Sequence, residues 1–310
     1  MRKRHRFLIF AMSDIKVRLS AMRKRYLVTT DHLESRIWFR DDDDFVVGMN
    51  HVAIQAFLTK VTVLAFILMS NHVHFVLYGT WEECEAFIDN FKARYSQYLF
   101  RKYGIREQLR RNDFEIKELP YDDEAFEKAV AYTNMNCVAA NICLYANQYP
   151  WGTGDCFFNP SRPVGKRLSD FSKRELKRIL HSDFTDLPSE WIIGERGFIL
   201  PQCYVNVKYV EEQFRKPSRM TWFLNNSSKA KKTRESSGGP MASFRDQSIL
   251  SMLPDLYRSL FHKNRFQELT DDEKVECLRQ IRYRFSSDVH QLARVTGLTY
   301  AQAAALLDAP

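Results

Sequence analysis

Two dense apolar runs set almost end to end, Val61 to Leu68 and Val73 to Tyr78, constrain this chain more than any other feature of its sequence. Only Met69-Ser70-Asn71-His72 separates them and Gly79 closes the second, a pattern that predicts a hairpin of buried strands. Tyr26 to Thr30, β-branched and aromatic, reads as an earlier strand. Between them, Phe45, Val46, Met49, Val52, Ala53, Ala56 and Phe57 recur at helical spacing, so Phe45 to Lys60 is expected as a helix with Asp41 to Asp44 as its solvated start. Trp81 to Tyr103 reads as a second helix, and a further long helix is expected beyond Pro120, within Glu118 to Ala146. Strand, helix, hairpin, helix, then a later helix with a return strand points to an α+β fold: an antiparallel sheet covered by helices.

Basic charge narrows the partners. The 310 residues carry 46 Lys and Arg against 38 Asp and Glu, a net charge of +8 that favours polyanions, nucleic acid first among them. The six cysteines have no CxxC pairs or regular spacing, which argues against a zinc ribbon or a disulfide framework and for reduced thiols in the cytoplasm. The opening Arg2 to Arg6 and the apolar Phe7 to Met12 imitate a signal peptide, but the run is too short, and no apolar stretch elsewhere approaches a membrane span. Residues 159 to 215 are mixed, with a basic helical stretch at Ser172 to Arg178. Asn225 to Pro240 reads as a Ser/Gly/Lys linker, and from Ser248 the pattern is helical.

Chemistry concentrates at Asn71-His72-Val73-His74-Phe75. Strand side chains alternate, so His72 and His74 share one face while Val73, Phe75 and Leu77 share the other. Two converging imidazoles can hold a divalent metal if a third ligand arrives; the alternative is a pair of structurally satisfied histidines. A histidine triad would want histidine where Val76 stands, and HExxH is absent, which leaves the HUH endonuclease pattern, His-apolar-His. Such an enzyme needs a helix-borne tyrosine. On the helix through Ala129 to Asn136, Phe126, Val130, Cys137 and Val138 cluster on one side, with Tyr132 and Asn136 nearly opposite. An ordinary amphipathic tyrosine would sit there as well.

Longer strings add specificity. Leu64 to Phe75, LAFILMSNHVHF, resembles the AYxLMPNHVHxL signature of REP-associated and related single-tyrosine insertion-sequence transposases. Tyr132 to Ala140 resembles their YxxxNPVRAG segment, Tyr149-Pro150-Trp151 their YPWSS, and Ser35 to Phe39 their early Arg-to-Phe element. Order and spacing agree over about residues 25 to 155. Ser70 and Cys137 replace prolines of the pattern, and Ala139 and Asn141 an arginine and a glycine, but no catalytic group is lost. The resemblance implies that His72, His74 and Asn136 coordinate Mg²⁺ or Mn²⁺ and that Tyr132 is the nucleophile. It implies single-stranded DNA flanking a hairpin as substrate, cut and rejoined through a 5′-phosphotyrosine.

Lys92, Arg94, Arg101, Lys102, Arg106, Arg110 and Arg111 form a basic series that could track a DNA backbone, with Tyr95, Tyr98 and Tyr103 interleaved for stacking; a solvated helix face is the alternative. Near the carboxy terminus, Ser286 to Ala303 reads as helix, tight turn at Gly297, helix, in which Thr299, Tyr300 and Gln302 would begin a recognition helix. The expected organisation is a ferredoxin-like HUH catalytic domain over 1–158 with helices on one face of its sheet, an extension and basic linker over 159–240, and a helical, helix-turn-helix-like DNA-binding region over 241–310. The alternatives are a catalytically silent hairpin-binding regulator and a rolling-circle replication initiator or relaxase. A homodimer is left open.

Overall fold

The computed structural model describes residues 22–30, 37–104, 114–121, 124–140, 142–161, 163–227, 246–285 and 287–307. Strand β1 (Lys24–Thr29) leads to helix α1 (Asp42–Thr59), the hairpin β2 (Thr62–Leu68) and β3 (Val73–Gly79), helix α2 (Trp81–Tyr103) and strand β4 (Glu115–Glu118). Helices α3 (Ala125–Asn134) and α4 (Asn136–Ala139) follow, then β5 (Lys166–Arg167), α5 (Lys173–Leu180), β6 (Ile192–Ile193), α6 (Val207–Phe214) and α7 (Pro217–Asn226). The last part holds α8 (Asp246–Phe261), α9 (Asp271–Phe285), α10 (Val289–Thr296) and α11 (Tyr300–Leu307). The chain is thus α+β, and no helix among the described residues is long and apolar enough to cross a membrane.

The predicted hairpin is present. Leu68 pairs with Val73, Ile67 with His74 and Phe66 with Phe75, and the turn is tied by the Met69 N–H donating to the His72 carbonyl at 2.8 Å. β1 lies along the other side of β3 and β4 beyond it, giving the antiparallel order β2-β3-β1-β4. Because neighbouring side chains on a strand point to opposite faces, β3 sorts the helices into layers. Phe75 stands 5.0 Å from Phe87 and 5.7 Å from Phe91, both on α2. The adjacent His74 instead faces Tyr132 of α3, and Tyr78 faces Tyr209 of α6. Helices therefore cover both faces, which corrects the expectation of one covered face; β2 and β3 are buried along nearly their whole length, so both faces need apolar cover.

Two further expectations change. Asp41 caps α1 by accepting the Asp44 N–H at 2.9 Å, as the acidic start predicted, but Asp44 itself is fully buried rather than solvated. It accepts hydrogen bonds from Tyr98 (2.7 Å), Tyr103 (3.0 Å) and the Arg40 N–H (2.7 Å), and pairs with Lys102 at 2.8 Å. Three uncharged donors and one cation offset the desolvation of a buried carboxylate. The segment read as an extension is integral: Val205, Val210, Phe214, Met220 and Phe223 enter the same apolar core as the sheet, and Leu168, Leu176, Leu180 and Ile199 pack on Ala53 and Ile54 of α1. The predicted linker begins inside α7, and its residues 228–240 lie outside the described residues.

Candidate active site

β3 begins where the turn ends, so the two histidines sit at the mouth of the hairpin. Their ring centroids are 5.0 Å apart with planes at 89°, and His74 is fully buried. The Tyr132 ring lies 5.5 Å from that of His74, edge to face at 86°. His72, His74 and Tyr132, chosen from the sequence, thus meet on one face of the sheet.

Asn71 and Thr153, which the sequence reading did not single out, set this geometry. The Asn71 Oδ1, an acceptor only, lies 2.9 Å from His72 Nδ1, so that nitrogen carries the ring proton and Nε2 keeps its lone pair. Thr153 Oγ1 donates to Asn134 Oδ1 at 2.9 Å and accepts the Phe66 N–H at 3.1 Å, clamping α3 to β2 two residues past the tyrosine. Glu124 and Glu127 each meet Arg219 of α7 at 3.1 Å, which holds the other end of α3. Asn71 lies inside the Asn-His-Val-His string and could have been found there; Thr153 has no local signal, because its partners are distant in sequence.

Asn136 departs from the expected wheel. α3 ends at Asn134, the chain turns at Met135, and Asn136 is only 3% exposed instead of lying off the core face with Tyr132. Its Nδ2 donates to the carbonyls of Tyr132 (2.9 Å) and Thr133 (3.2 Å), which ties the amide to the backbone of the tyrosine. Cys137, in place of the pattern's proline, is a packed thiol: burial, then Cys143, raises its pKa well above the usual value, and Sγ donates to the Asn134 carbonyl.

Among the described residues no group of three or more His, Cys, Asp or Glu side chains is placed to hold a metal ion. The set implied by the resemblance, two imidazoles and an amide oxygen, is not of that kind. Its chemistry fits a divalent ion: His72 presents a buried Nε2 lone pair fixed by Asn71, with His74 beside it. Imidazole donors are softer than carboxylates or water, which favours Mn²⁺ over Mg²⁺.

The basic series does not join this site. Lys92 is corrected outright: it is 1% exposed, with Nζ 4.4 Å over the Phe114 ring and 3.7 Å from Asp89. Tyr95 is in the core with its hydroxyl on the Trp38 carbonyl, and Tyr98 and Tyr103 are engaged with Asp44, so none of the three is presented for base stacking. Lys102 is paired with Asp41 and Asp44 at 2.7 and 2.8 Å. Arg94 and Arg101 are exposed, but on α2, whose layer covers the face opposite Tyr132. Arg106, Arg110 and Arg111 lie outside the described residues.

At the carboxy terminus Gly297 has φ 76° and closes α10 with its N–H on the Ala293 carbonyl. Thr299 and Gln302 cap α11 reciprocally, each side chain accepting the other's backbone N–H, and Tyr300 stacks on His290 at 4.4 Å. This region reaches the histidine hairpin: Gln247 Nε2 donates to the Phe39 carbonyl at 2.9 Å and to Ser70 Oγ at 3.3 Å. Beside it the fully buried Asp246 accepts from Arg294 (2.9 Å) and Gln291 (2.8 Å). Burial alone would raise the Asp246 pKa, but the guanidinium and these hydrogen bonds bring it below the usual carboxylate value. Compared with protein-family models, curated proteins and solved structures, the chain has no match in any of the three.

Proposed function

We propose that the chain is a transposase-type endonuclease of the HUH single-tyrosine kind, which nicks single-stranded DNA beside hairpins and rejoins it. The observation that carries the reading is the meeting of two imidazoles and a phenol, rings 5.0 and 5.5 Å apart, on one face of an antiparallel sheet. The β-α-β-β-α-β order and the arrangement β2-β3-β1-β4 agree with a ferredoxin-like catalytic domain. The turn at Gly297 between α10 and α11 supports a helix-turn-helix role for the last helices.

In this reading Tyr132 supplies the nucleophilic oxygen. That oxygen bonds to phosphorus in line with the departing 3′-oxygen; the phosphorus–oxygen bond on that side breaks and its electron pair leaves on the 3′-oxygen, which takes up a proton as 3′-OH. The 5′-phosphotyrosine retains the phosphoester bond, so attack by a second 3′-OH rejoins DNA without ATP. A phenol of pKa about 10 must first lose its proton. His72, His74 and Asn136 would hold Mg²⁺ or Mn²⁺, which when bound offsets charge on the scissile phosphate. The Asn134–Thr153 clamp keeps Tyr132 in place, the positioning on which such a displacement depends.

The test is incubation of the full chain with Mn²⁺ and labelled hairpin-bearing single strands, followed by denaturing electrophoresis. A covalent protein–DNA band that is absent in Tyr132→Phe supports the reading. Hairpin binding without any covalent band would make the chain a regulator, and a band that survives Tyr132→Phe would place the nucleophile elsewhere.

A further inference from the structure

On the far side of the α1 and α2 layer from Tyr132, the structure has a cavity of about 920 Å³. Three helices build it, α1 and α2 with side chains three or four residues apart on one face. α1 gives His51, Gln55 and Leu58, α2 gives Arg94, Gln97 and Arg101, and the end of α5 gives Lys177 and Arg178. Arginines therefore approach from two walls. Lys177 is met by Asp183 at 3.1 Å, Arg178 lies near Glu175 of its own helix, and Asp43 also lines the cavity, whereas no ion pair holds Arg94 or Arg101 among the described residues.

Guanidiniums that converge on a concavity in excess of its carboxylates favour an anion between them, and their planar forks match phosphate oxygens. The rest of the lining is not that of a bare phosphate site. The volume falls in the range of pockets for drug-sized ligands, and Leu58 and Phe184 supply an apolar wall. His51 lines the cavity and is 4% exposed; its ring is hydrogen-bonded to the His181 backbone, and its Nδ1 has no side-chain hydrogen bond among the described residues. A ring nitrogen so placed can take a polar group of a ligand in the cavity.

We propose that this cavity binds a nucleoside phosphate, with its phosphates on Arg94, Arg101 and Arg178, its ring system against Leu58 and Phe184, and a polar group on His51 Nδ1. Lining from three helices around one concavity suits a compact ligand more than a strand running through. The inference is independent of the His72–His74–Tyr132 reading, since the two sites lie on opposite faces of the sheet.

Titration of the full chain with fluorescent mant-ADP, followed by anisotropy, tests it. The expected result is saturable binding, displaced by unlabelled ADP and more weakly by pyrophosphate. Arg94→Ala with Arg101→Ala should raise Kd by about 10-fold or more, as removal of charge-assisted donors does. Asp183→Asn, which removes an exposed opposing charge, should lower Kd by roughly 2-fold. Tyr132→Phe should leave Kd unchanged. All of the substituted cavity residues are exposed, so melting temperatures should hold, and Arg178→Ala repeats the test on another helix. Absence of saturable mant-ADP binding, or a Kd indifferent to both the Arg94/Arg101 and Arg178 substitutions, overturns the proposal. So does displacement of mant-ADP by a 5′-hydroxyl oligothymidylate where ADP itself fails, which would identify a strand-binding groove instead.

Discussion

Asp246→Ala is the perturbation that most directly tests how the carboxy-terminal helices α8 and α10 are held together. Asp246 is fully buried and satisfies Arg294, whose side chain is only 17% exposed, and Gln291. Removing one member of a buried ion pair costs about 3–5 kcal/mol, because the other charge is left desolvated. Arg294 retains some access to water, so the lower end, about 3 kcal/mol, is the expected loss. At 1.36 kcal/mol per tenfold, that is roughly two orders of magnitude in the local opening equilibrium. Hydrogen–deuterium exchange over residues 246–307 reads that equilibrium by segment, and amides of α8 and α10 should exchange about 100-fold faster. The paired substitution Asp246→Leu with Arg294→Met should be milder than Asp246→Ala, since no charge is left buried. Exchange within about 3-fold of the parent for Asp246→Ala, or simple additivity of the two sites, would refute the reasoning.

Gly152→Ala would place a Cβ 2.6 Å from the Phe66 carbonyl oxygen, so the 151–153 segment must shift off β2; a fall in melting temperature of several degrees is expected by calorimetry. Thr153→Val removes the clamp on Asn134 at nearly constant volume, at a cost of about 1–3 kcal/mol in urea unfolding. If Tyr132 is the nucleophile, Thr153→Val should also slow adduct formation while DNA binding is kept. Burial holds the His51 pKa down to about 4, below its unfolded value near 6.5. The unfolded state then binds more protons between those values, so stability is full above about pH 6.5 and is lost as pH falls towards 4. His51→Gln should flatten that part of the stability–pH curve, and an unchanged slope would show that the imidazole does not carry it.

Legibility from the sequence followed the range of the interactions. β2, β3, α1 and α2 were readable because period-2 and period-3.6 patterns are local, and the bounds of α2 match Trp81–Tyr103. His72, His74 and Tyr132 were readable because strand alternation and a short motif carry them. Lys92, Tyr95 and Asp44 were misread because charge and aromatic content say nothing of what packs above a helix; Phe114 and Lys102 decide those cases from far along the chain. β4 was hard to see as Glu115-Ile116-Lys117-Glu118, a charged edge strand that owes its place to pairing with β1. The role of 159–226 was invisible because its apolar residues are completed only by the sheet they cover.

The outer edge of β2 carries the amide groups of 151–153 and 205–206: Leu68 N–H meets the Trp151 carbonyl, Thr153 N–H the Phe66 carbonyl, and Asn206 N–H the Val63 carbonyl. The opposite border is β4, short and studded with Glu115, Lys117 and Glu118. With one margin already spoken for and the other electrostatically guarded, the described residues leave no free β2 margin along which two copies could knit a continuous sheet. The β2 border is thereby closed to the edge-to-edge pairing that open sheets invite.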